Sequence, residues 1–435
     1  MEHEEDTADV TVIGGGIAGM AASIHLARAG WKVLCVGPDL SGSQSVGESL
    51  DWSAPALLGA LGLPMQRLID DGTATYKKHV ILKLCDGSER HYVPAAWLGR
   101  APFNLELRTL HVDRPRLNEA IREIAMAHGV RHLYDKVVNV EIEGRRVVAA
   151  NTAEGRRISC SRYIDASGSA ASVLSRAFKL PVYEYGPRKV AVWSYFKVRE
   201  PGEGTTLYAQ TATSSYMEWI WEIPINSETI SVGYVTTGEA MKANRQQGRA
   251  VEEIYREELE RFPRFEELLR EAGAVSPFTT SFRCRVHGNV AGPNWLIVGE
   301  SAAMVDPMTS NGVTAALRHA SEASSLLIRY RDRERLPRLA TAMYSKRVEG
   351  LAKFFNCGIE KVVYDWPVRS RIGVLLAGDV YTVPAWSLNT VYARMRPRGV
   401  FATLLFGCLL NLCRAAASVL HGLCKEEEEP CEVQA

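Results

Sequence analysis

The chain has 435 residues, of which 46% are hydrophobic and 23% are charged. This composition is typical of a soluble globular protein and excludes a disordered, collagen-like or fibrous chain. With 51 basic and 50 acidic side chains, the net charge is +1. No overall field attracts nucleic acid or an anionic membrane, so we expect no nucleic-acid partner and only local binding.

Nine cysteines are scattered along the sequence without any C-x-x-C spacing. An odd and scattered set argues against a disulfide framework or a zinc site and is typical of a reducing compartment. The first ten residues, MEHEEDTADV, are acidic where a secretory signal would be basic and then apolar. We therefore expect a cytoplasmic protein without a metal centre.

Hydrophobic periodicity and turn residues predict the order of the elements. They predict a strand at 9–13, a helix ending at Ala29, a strand at 32–36, a helical stretch at 53–71, a strand at 76–84, a loop and amphipathic helix over 111–129, and a β-meander over 137–167. Alternating aromatic and β-branched residues then predict an antiparallel sheet, interrupted by a helical insert at 250–273. A strand, loop and helix follow at 294–327, and the rest is mostly helical.

No internal repeat or Gly/Ser-rich linker separates these parts, so we expect interleaved domains. The predicted fold is α/β, with a Rossmann-like nucleotide-binding domain interleaved with an antiparallel β-sheet substrate domain and followed by a helical C-terminal region. The predicted boundaries are 1–186 and 286–330 for the two parts of the nucleotide-binding domain, 187–285 for the sheet domain, and 331–435 for the helical region with its acidic tail.

The segment GGGIAG at 14–19 has the form G-x-G-x-x-G and lies between a predicted strand and a predicted helix. Gly14 permits the tight turn, Gly16 lets the backbone approach a pyrophosphate, and Gly19 lets the helix pack closely on the sheet. Free N–H groups at the helix start would bind the phosphates. An acidic residue normally ends the second strand and binds the ribose; the candidate is Asp39, two residues beyond that point.

A second nucleotide signal lies roughly 280 residues further along. Gly299-Glu300-Ser301-Ala302 follows a predicted buried strand, and Asp306-Pro307-Met308-Thr309-Ser310-Asn311-Gly312 leads into a helix. Together they resemble the late FAD motif of the flavin monooxygenase fold, G-D-A-A…D-P-x-x-S-x-G. The resemblance implies that the Rossmann-like domain binds FAD. It places Glu300, in place of the usual Asp, at the ribityl chain, and it assigns Asp306 and the turn after it to the cofactor.

The segment YIDASG at 163–168 bears on the electron source. Flavin hydroxylases that use NADPH usually carry an Asp-Gly pair here, whereas this chain has Ser167 before the glycine and no other visible nicotinamide site. The resemblance implies that reduced flavin comes from a separate flavin reductase.

Trp219-Ile220-Trp221-Glu222-Ile223-Pro224 matches W-x-W-x-I-P, the signature of flavin-dependent halogenases. Val46-Gly47-Glu48-Ser49-Leu50 and His111-Val112-Asp113-Arg114 resemble two further segments of that family. The sequence is similar to the family over about residues 8–330. The resemblance also assigns Ser49 and Arg114 to the cofactor site.

This resemblance implies an enzyme that uses FADH2 and O2 to oxidise chloride or bromide to hypohalous acid. It would then halogenate an electron-rich aromatic substrate, free or carrier-bound. Such a site needs an anion nest, for which the backbone N–H groups of Asn311 and Gly312 are candidates. It needs a wall between flavin and substrate, for which Trp219 and Trp221 are candidates. It also needs a lysine, because burial can bring an amine towards neutrality so that it carries the halogen.

Lys77 and Lys78 both lie in the family's lysine region. The Lys-Lys pair is similar to that of pyrrole halogenases that act on carrier proteins and favours Lys78, whereas the Tyr-Lys step resembles the Phe-Lys of indole halogenases and favours Lys77. The two alternate on a predicted strand, so only one faces inward; a solvated surface pair is the alternative. Glu48 and His79 are candidates to orient the lysine or act as base, although His79 is equally an ordinary strand residue.

Other activities remain open because Asp51-Trp52 stands where halogenases often have an apolar residue and then proline. One alternative is a flavin-dependent monooxygenase or hydroxylase of the same fold, including one that oxygenates a tryptophan in a partner protein. Another is an isoprenoid reductase. The last is a non-enzymatic FAD-binding module, against which the complete W-x-W-x-I-P segment argues.

The segment 400–424 approaches the length of a membrane-spanning helix. Its polar side chains fall on one narrow stripe of a helix with a broad apolar face: Thr403, Asn411, Arg414, Ser418, His421 and Lys425. Arg414 at mid-span makes a crossing expensive. We expect the helix to pack against the protein's own body, with peripheral contact to a membrane or partner through 400–424 as the alternative.

Overall fold

The structure is a computed structural model that confirms the predicted α/β architecture. It describes residues 8–40, 44–101, 104, 107–209, 216–273, 275–365, 368–369, 373, 377, 379, 387–388 and 400–426, with the backbone alone at 425–426.

The strands in chain order are β1 (Val10–Ile13), β2 (Val33–Gly37), β3 (Ala74–Lys77), β4 (His79–Leu84), β5 (Glu89–Tyr92), β6 (Thr109–Val112), β7 (Arg131–Tyr134), β8 (Val137–Glu143), β9 (Arg146–Thr152), β10 (Arg157–Ile158), β11 (Arg162–Asp165), β12 (Val182–Lys197), β13 (Gly204–Ala209), β14 (Trp219–Pro224), β15 (Thr229–Thr237), β16 (Phe278–His287), β17 (Trp295–Ile297) and β18 (Ala303–Met304).

The α-helices are α1 (Ile17–Arg28), α2 (Ala54–Ala60), α3 (Met65–Asp70), α4 (Ala95–Leu98), α5 (Arg114–Ala127), α6 (Val173–Ala177), α7 (Gly238–Gln246), α8 (Val251–Glu260), α9 (Pro263–Ala272), α10 (Gly312–Arg329), α11 (Arg338–Gly358) and α12 (Val400–Glu426). Short 3-10 turns occupy Gly299–Ser301 and Pro307–Thr309, and a π-helical turn occupies Ile359–Tyr364.

A parallel five-stranded sheet forms the nucleotide-binding part, in the order β17-β11-β1-β2-β7. Every residue of β1 and β2 is buried, as continuous apolar strands of a parallel sheet require. Helix α1 follows β1 directly and packs against α10, so the early glycine motif and the late motif share one region of the fold.

An eight-stranded sheet forms the second part, in the order β18-β16-β12-β15-β14-β13-β4-β5. It contains the antiparallel strands predicted between 187 and 285, together with β4, β5 and β18 from outside that range. One pair, β13 with β4, is parallel. The predicted helical insert appears as α8 and α9, which pack on this sheet through residues such as Ile254 and Phe265. The boundaries proposed at 186, 285 and 330 stay a prediction.

Two predicted elements differ from the structure. The stretch 76–84 is not one strand: β3 ends at Lys77 and pairs with β6, whereas β4 joins the large sheet. The chain turns away at Lys78, whose backbone N–H donates to Glu203 O at 2.8 Å. His111 and Val112 belong to strand β6 rather than to a loop, because they pair with Thr75 and Ala74.

The C-terminal region is mostly helical where the structure describes it, as predicted. Helix α11 continues into the π-helical turn, and α12 packs along both. Helix α12 is long and apolar enough to cross a membrane, because an 18-residue window within Val400–Cys424 has mean hydropathy 1.8, with 17% of that window buried.

Candidate active site

The early glycine motif forms a tight turn that opens onto a cleft. Gly14 has φ of +110°, and a Cβ there would lie 2.2 Å from Ala166 O, whereas a Cβ at Gly19 would lie 1.9 Å from Gly14 O. Only glycine fits either position. A Cβ at Gly16 meets no heavy atom within 4 Å, because Gly16 faces a cleft of about 460 Å³ that Asp39 also lines. This cleft at the start of α1 fits the diphosphate and ribose of a dinucleotide.

Arg114 fixes the segment that leads from this cleft towards the large sheet. It begins α5, and its Nη1 donates to Val46 O at 2.6 Å. Burial lowers the Arg114 pKa, while the carboxylates of Glu48 and Glu300 oppose that effect. Glu300 itself is accessible to solvent, as a side chain that lines a cofactor cleft would be.

The late motif builds a turn and a helix start. Asp306 is fully buried, accepts a hydrogen bond from Met308 N at 3.0 Å, and thereby caps the turn Pro307–Thr309. Helix α10 then begins at Gly312, where a Cβ would meet no heavy atom within 4 Å. The start of an 18-residue helix next to open space is a favourable place for an anion or a flavin carbonyl.

The two neighbouring lysines lie in opposite environments. Lys77 is buried, with 2% of its surface exposed. Lys78 points outwards and pairs with Glu203, Nζ to Oε1 at 2.7 Å, with the two side chains 58% and 62% exposed. His79 lines a surface groove of about 770 Å³ together with Glu203, not the region around the Lys77 amine.

The Lys77 amine sits in a pocket that favours its neutral form. Its Nζ donates to Leu50 O at 3.0 Å and lies 4.8 Å from the centre of the Trp52 ring. Burial lowers the Lys77 pKa to about 7, although the nearby Asp51 carboxylate acts to raise it. At neutral pH about half of the amine is therefore uncharged and nucleophilic.

Asp51 also connects this lysine to the start of α10. Asn311 Nδ2 donates to Asp51 Oδ2 at 2.5 Å, and Ser53 N donates to Asp51 Oδ1 at 2.7 Å. The adjacent Ser49 hydroxyl lies 3.2 Å from that of Ser310 in the late motif. The loop 48–52 thus bridges the lysine and the proposed halide turn. The Asp51-Trp52 departure marked this loop in the sequence, but its contacts were not predictable from it.

Glu48 is the first residue of the same loop and is buried. Its carboxylate accepts hydrogen bonds from Gly47 N at 3.0 Å, Tyr195 Oη at 3.2 Å and Ser231 Oγ at 3.3 Å. Burial raises the Glu48 pKa against these hydrogen bonds and the attraction of Arg114. A buried carboxyl group with a raised pKa is a candidate for proton transfer.

Trp219 and Trp221 project from β14 on the same side, with ring centroids 5.9 Å apart. Trp221 Nε1 donates to Ser231 Oγ at 3.0 Å, and its ring packs where a Cβ at Gly233 would lie, only 2.1 Å away. Trp219 Nε1 donates to Tyr364 Oη at 2.8 Å. Both indoles are therefore fixed by hydrogen bonds as well as by packing, and they share an apolar cluster with Trp52.

A buried ionic cluster next to Trp219 was missed by the sequence analysis. Lys189 Nζ donates to Asp306 Oδ2 at 2.7 Å and to Glu360 Oε1 at 2.5 Å, and Tyr364 Oη donates to Asp306 Oδ1 at 3.2 Å. The attraction of the two carboxylates raises the Lys189 pKa, so this lysine stays charged, unlike Lys77. Its ammonium group also occupies the space between Asp306, Glu360 and Cys284 that a cation would need.

Comparison with known proteins places this site in a family. The family model for tryptophan halogenase matches residues 104–354, and that for FAD dependent oxidoreductase matches residues 9–177. A tryptophan 2-halogenase from Chondromyces crocatus is 29% identical over 402 residues, covering 89% of this chain and 74% of the relative. A 1H-pyrrole-2-carbonyl-[peptidyl-carrier protein] chlorinase from Pseudomonas fluorescens is 24% identical over 412 residues, covering 86% of this chain and 90% of the relative.

The solved structure of the flavin-dependent brominase Bmp2 superimposes with a TM-score of 0.73 at 19% identity, over 97% of this chain and 99% of that one. This likeness shows the fold. The chain spans 62–66% of the length of three fungal flavin-dependent halogenases that it also matches. These matches and the site described above identify the chain as an FAD-dependent oxidoreductase that belongs to the tryptophan halogenase family of flavin-dependent halogenases.

Proposed function

We propose that the protein uses FADH2 and O2 to oxidise chloride or bromide to hypohalous acid and transfers the halogen to an electron-rich aromatic ring through Lys77. The observation that carries this proposal is the buried Lys77 amine, held by Leu50 O against the Trp52 ring. Bound FADH2 would supply the two electrons that let O2 oxidise the halide. The remaining steps fall to side chains and backbone groups of this chain.

Gly16 and Asp39 would hold the diphosphate and ribose, and Glu300 would face the ribityl chain. The backbone N–H groups of Asn311 and Gly312 would bind the halide at the start of α10. Trp219 and Trp221, fixed by their hydrogen bonds, would keep the aromatic substrate away from the flavin and let only a small oxidant pass.

Lys77 would receive the halogen because about half of its amine is neutral at pH 7 and carries a free electron pair. Nitrogen attack on hypohalous acid forms a nitrogen–halogen bond and releases hydroxide, which takes the amine proton to give water. In the alternative, the protonated Lys77 amine donates a hydrogen bond to hypohalous acid from the same position. Lys78 is not suited to either role, because its ammonium group pairs with Glu203 at the surface.

The substrate and partners belong to this proposal. The named relatives act on tryptophan and on a pyrrole-2-carbonyl group bound to a peptidyl carrier protein. We propose an aromatic substrate of one of these kinds, either free or carrier-bound, and a separate flavin reductase that supplies FADH2 in the cytoplasm.

The test supplies the purified holoprotein with a flavin reductase, NADH, O2 and bromide, and offers indole, phenol and pyrrole substrates. Mass spectrometry detects bromination by its isotope doublet, and a β-diketone trap measures hypobromous acid. We expect Lys77→Met to lose at least 100-fold in ring bromination while the trap still reports hypobromous acid. Lys78→Met serves as the matched control and should stay within about twofold of the parent protein.

Two outcomes would overturn the proposal. Loss of bromination in Lys78→Met but not in Lys77→Met would reassign the carrier. A product heavier by one oxygen, formed equally with and without halide, would make the protein a hydroxylase of the same fold.

A further inference from the structure

Helix α12 turns a row of apolar side chains towards solvent, unlike an ordinary surface helix. Among the exposed positions of 400–424, all of which the structure describes, Asn411 is the one polar residue. The most exposed large side chains are Phe401, Leu405, Leu412, Val419 and Leu423, each 59–80% exposed. At 100° per residue these five fall within about 40° of one another, so they form one apolar stripe along the whole helix.

The opposite side of the helix packs against the protein through the buried Phe406, Leu410 and Ala417, and polar contacts accompany this packing. Lys361 Nζ donates to Ser418 Oγ at 2.9 Å, and His421 Nε2 lies 3.2 Å from Asp365 Oδ2. Thr403 is buried within 3.4 Å of the Arg347 guanidinium. These contacts lie at both ends of the helix. They fix which face of the helix points outwards. The exposed apolar stripe is therefore a feature of the folded protein and does not result from a helix that has detached from it.

The chemistry and size of the stripe favour one occupant. The helix from 400 to 424 is about 37 Å long. A stripe about 10 Å wide then offers roughly 400 Å² to a partner, which is half of the ~800 Å² that each side of a stable protein interface buries. Protein interfaces also carry about one hydrogen bond per 100–200 Å², and this stripe has no group to make them. Lipid acyl chains need neither a second large surface nor hydrogen bonds.

We infer that the outward face of α12 binds the surface of a lipid bilayer. The helix lies flat in the interface, with Phe401, Leu405 and Leu412 among the acyl chains, because its other side is held by α11 and the π-helical turn along its length. It does not cross the bilayer, since a crossing would break the contacts of Ser418 and His421 with the protein body. This inference is independent of the halide chemistry.

The test measures sedimentation of the full-length holoprotein with phosphatidylcholine vesicles at 0.1 M and 0.5 M NaCl. We expect vesicle binding that persists at the higher salt. We expect it to fall at least about tenfold in the triple variant Phe401→Glu, Leu405→Glu, Leu412→Glu. The matched control places three glutamates at exposed apolar positions elsewhere, Met126→Glu, Val138→Glu, Ile142→Glu, and should bind as the parent does.

A second measurement covers the case in which the triple variant fails to fold. Two proteins are prepared, one with an environment-sensitive fluorophore on Cys408 on the outward face and one with the fluorophore on Cys85. Both cysteines are exposed. In each protein, Cys431 and whichever of Cys408 and Cys85 is not labelled are replaced by serine. On addition of vesicles, the Cys408 label should shift to the blue and the Cys85 label should not. Equal behaviour of the two labels would overturn the inference. So would a parent protein that ignores vesicles but forms a dimer that the triple variant abolishes.

Discussion

The pH dependence of halogen transfer tests the role of Lys77 most directly. The neutral amine is the reactive form in the proposed step, and burial lowers its pKa to about 7. About half of the amine is then neutral at pH 7, about one tenth at pH 6 and about nine tenths at pH 8. The transfer rate should therefore fall about fivefold from pH 7 to pH 6 and rise less than twofold from pH 7 to pH 8.

Asp51→Asn provides the perturbation. The Asp51 carboxylate stabilises the ammonium form and so opposes the effect of burial. Its removal disfavours the charged form and lowers the Lys77 pKa further, by about one unit for a close opposite charge. The inflection should move from about pH 7 to about pH 6. The fraction of plateau activity at pH 6 should then rise from about one tenth to about one half.

The assay records brominated product divided by trapped hypobromous acid at each pH, so that the pH dependence of halide oxidation cancels. Asp86→Asn is the matched control, because Asp86 accepts hydrogen bonds from Ser88 N and Oγ just as Asp51 does from Ser53, but at a distant exposed turn. An inflection that stays in place or moves upwards in Asp51→Asn would refute the reasoning about the amine.

Three further variants test the cofactor cleft, the ionic cluster and the loss of stability that comes from burying the Lys77 amine. Gly16→Val should fold with an unchanged melting temperature but bind FAD at least tenfold more weakly, because its side chain would fill the cleft; normal FAD binding in fluorescence titration would contradict this. Lys189→Met should lose about 3–5 kcal/mol of unfolding free energy in urea titration, because Asp306 and Glu360 lose their buried partner; a change below about 1 kcal/mol would show that the pair is not buried as described. Lys77→Met should gain about 0.5–2 kcal/mol in the same titration, and a loss of stability would argue against an amine strained by burial.

The nucleotide-binding elements were predictable because their signals are local. The positions of Gly14, Gly16 and Gly19 within six residues fix a turn whose geometry depends on backbone sterics alone. The strand that carries Trp219 and Trp221 was predictable for the same reason, since alternation has a period of two residues. Such patterns do not depend on contacts with distant parts of the chain.

The choice between Lys77 and Lys78 required the tertiary structure. Alternation indicates that only one of two adjacent residues faces inward, but it does not say which. Lys77 is the inner one because β3 pairs with β6, which lies more than 30 residues further along the chain. The Lys189 cluster was not predictable at all, because its partners Asp306 and Glu360 lie 117 and 171 residues away.

Helix α12 shows a different limit. The sequence predicted both the helix and its polar stripe, and the structure contains both. The helix packs against the protein body as expected, because Phe406, Leu410 and Ala417 are buried in an apolar cluster. The apolar face is broader than the body covers, however, and a second apolar stripe stays exposed. Periodicity shows how broad the apolar face of a helix is, and only the tertiary structure shows how much of that face the neighbouring elements cover.

The loop 48–52 explains how these separate parts can act as one site. Glu48 joins the Trp221 strand through Ser231, Leu50 holds the Lys77 amine, and Asp51 holds Asn311 at the start of α10. In the proposed reaction the halogen travels from the flavin side to the Lys77 amine without meeting water, so the distance and direction between the two ends have to be fixed before the reaction starts. A single buried loop that contacts all three elements provides that fixed geometry. A proline in place of Trp52, as halogenases often have next to this loop, would remove the ring that lies beside the Lys77 amine.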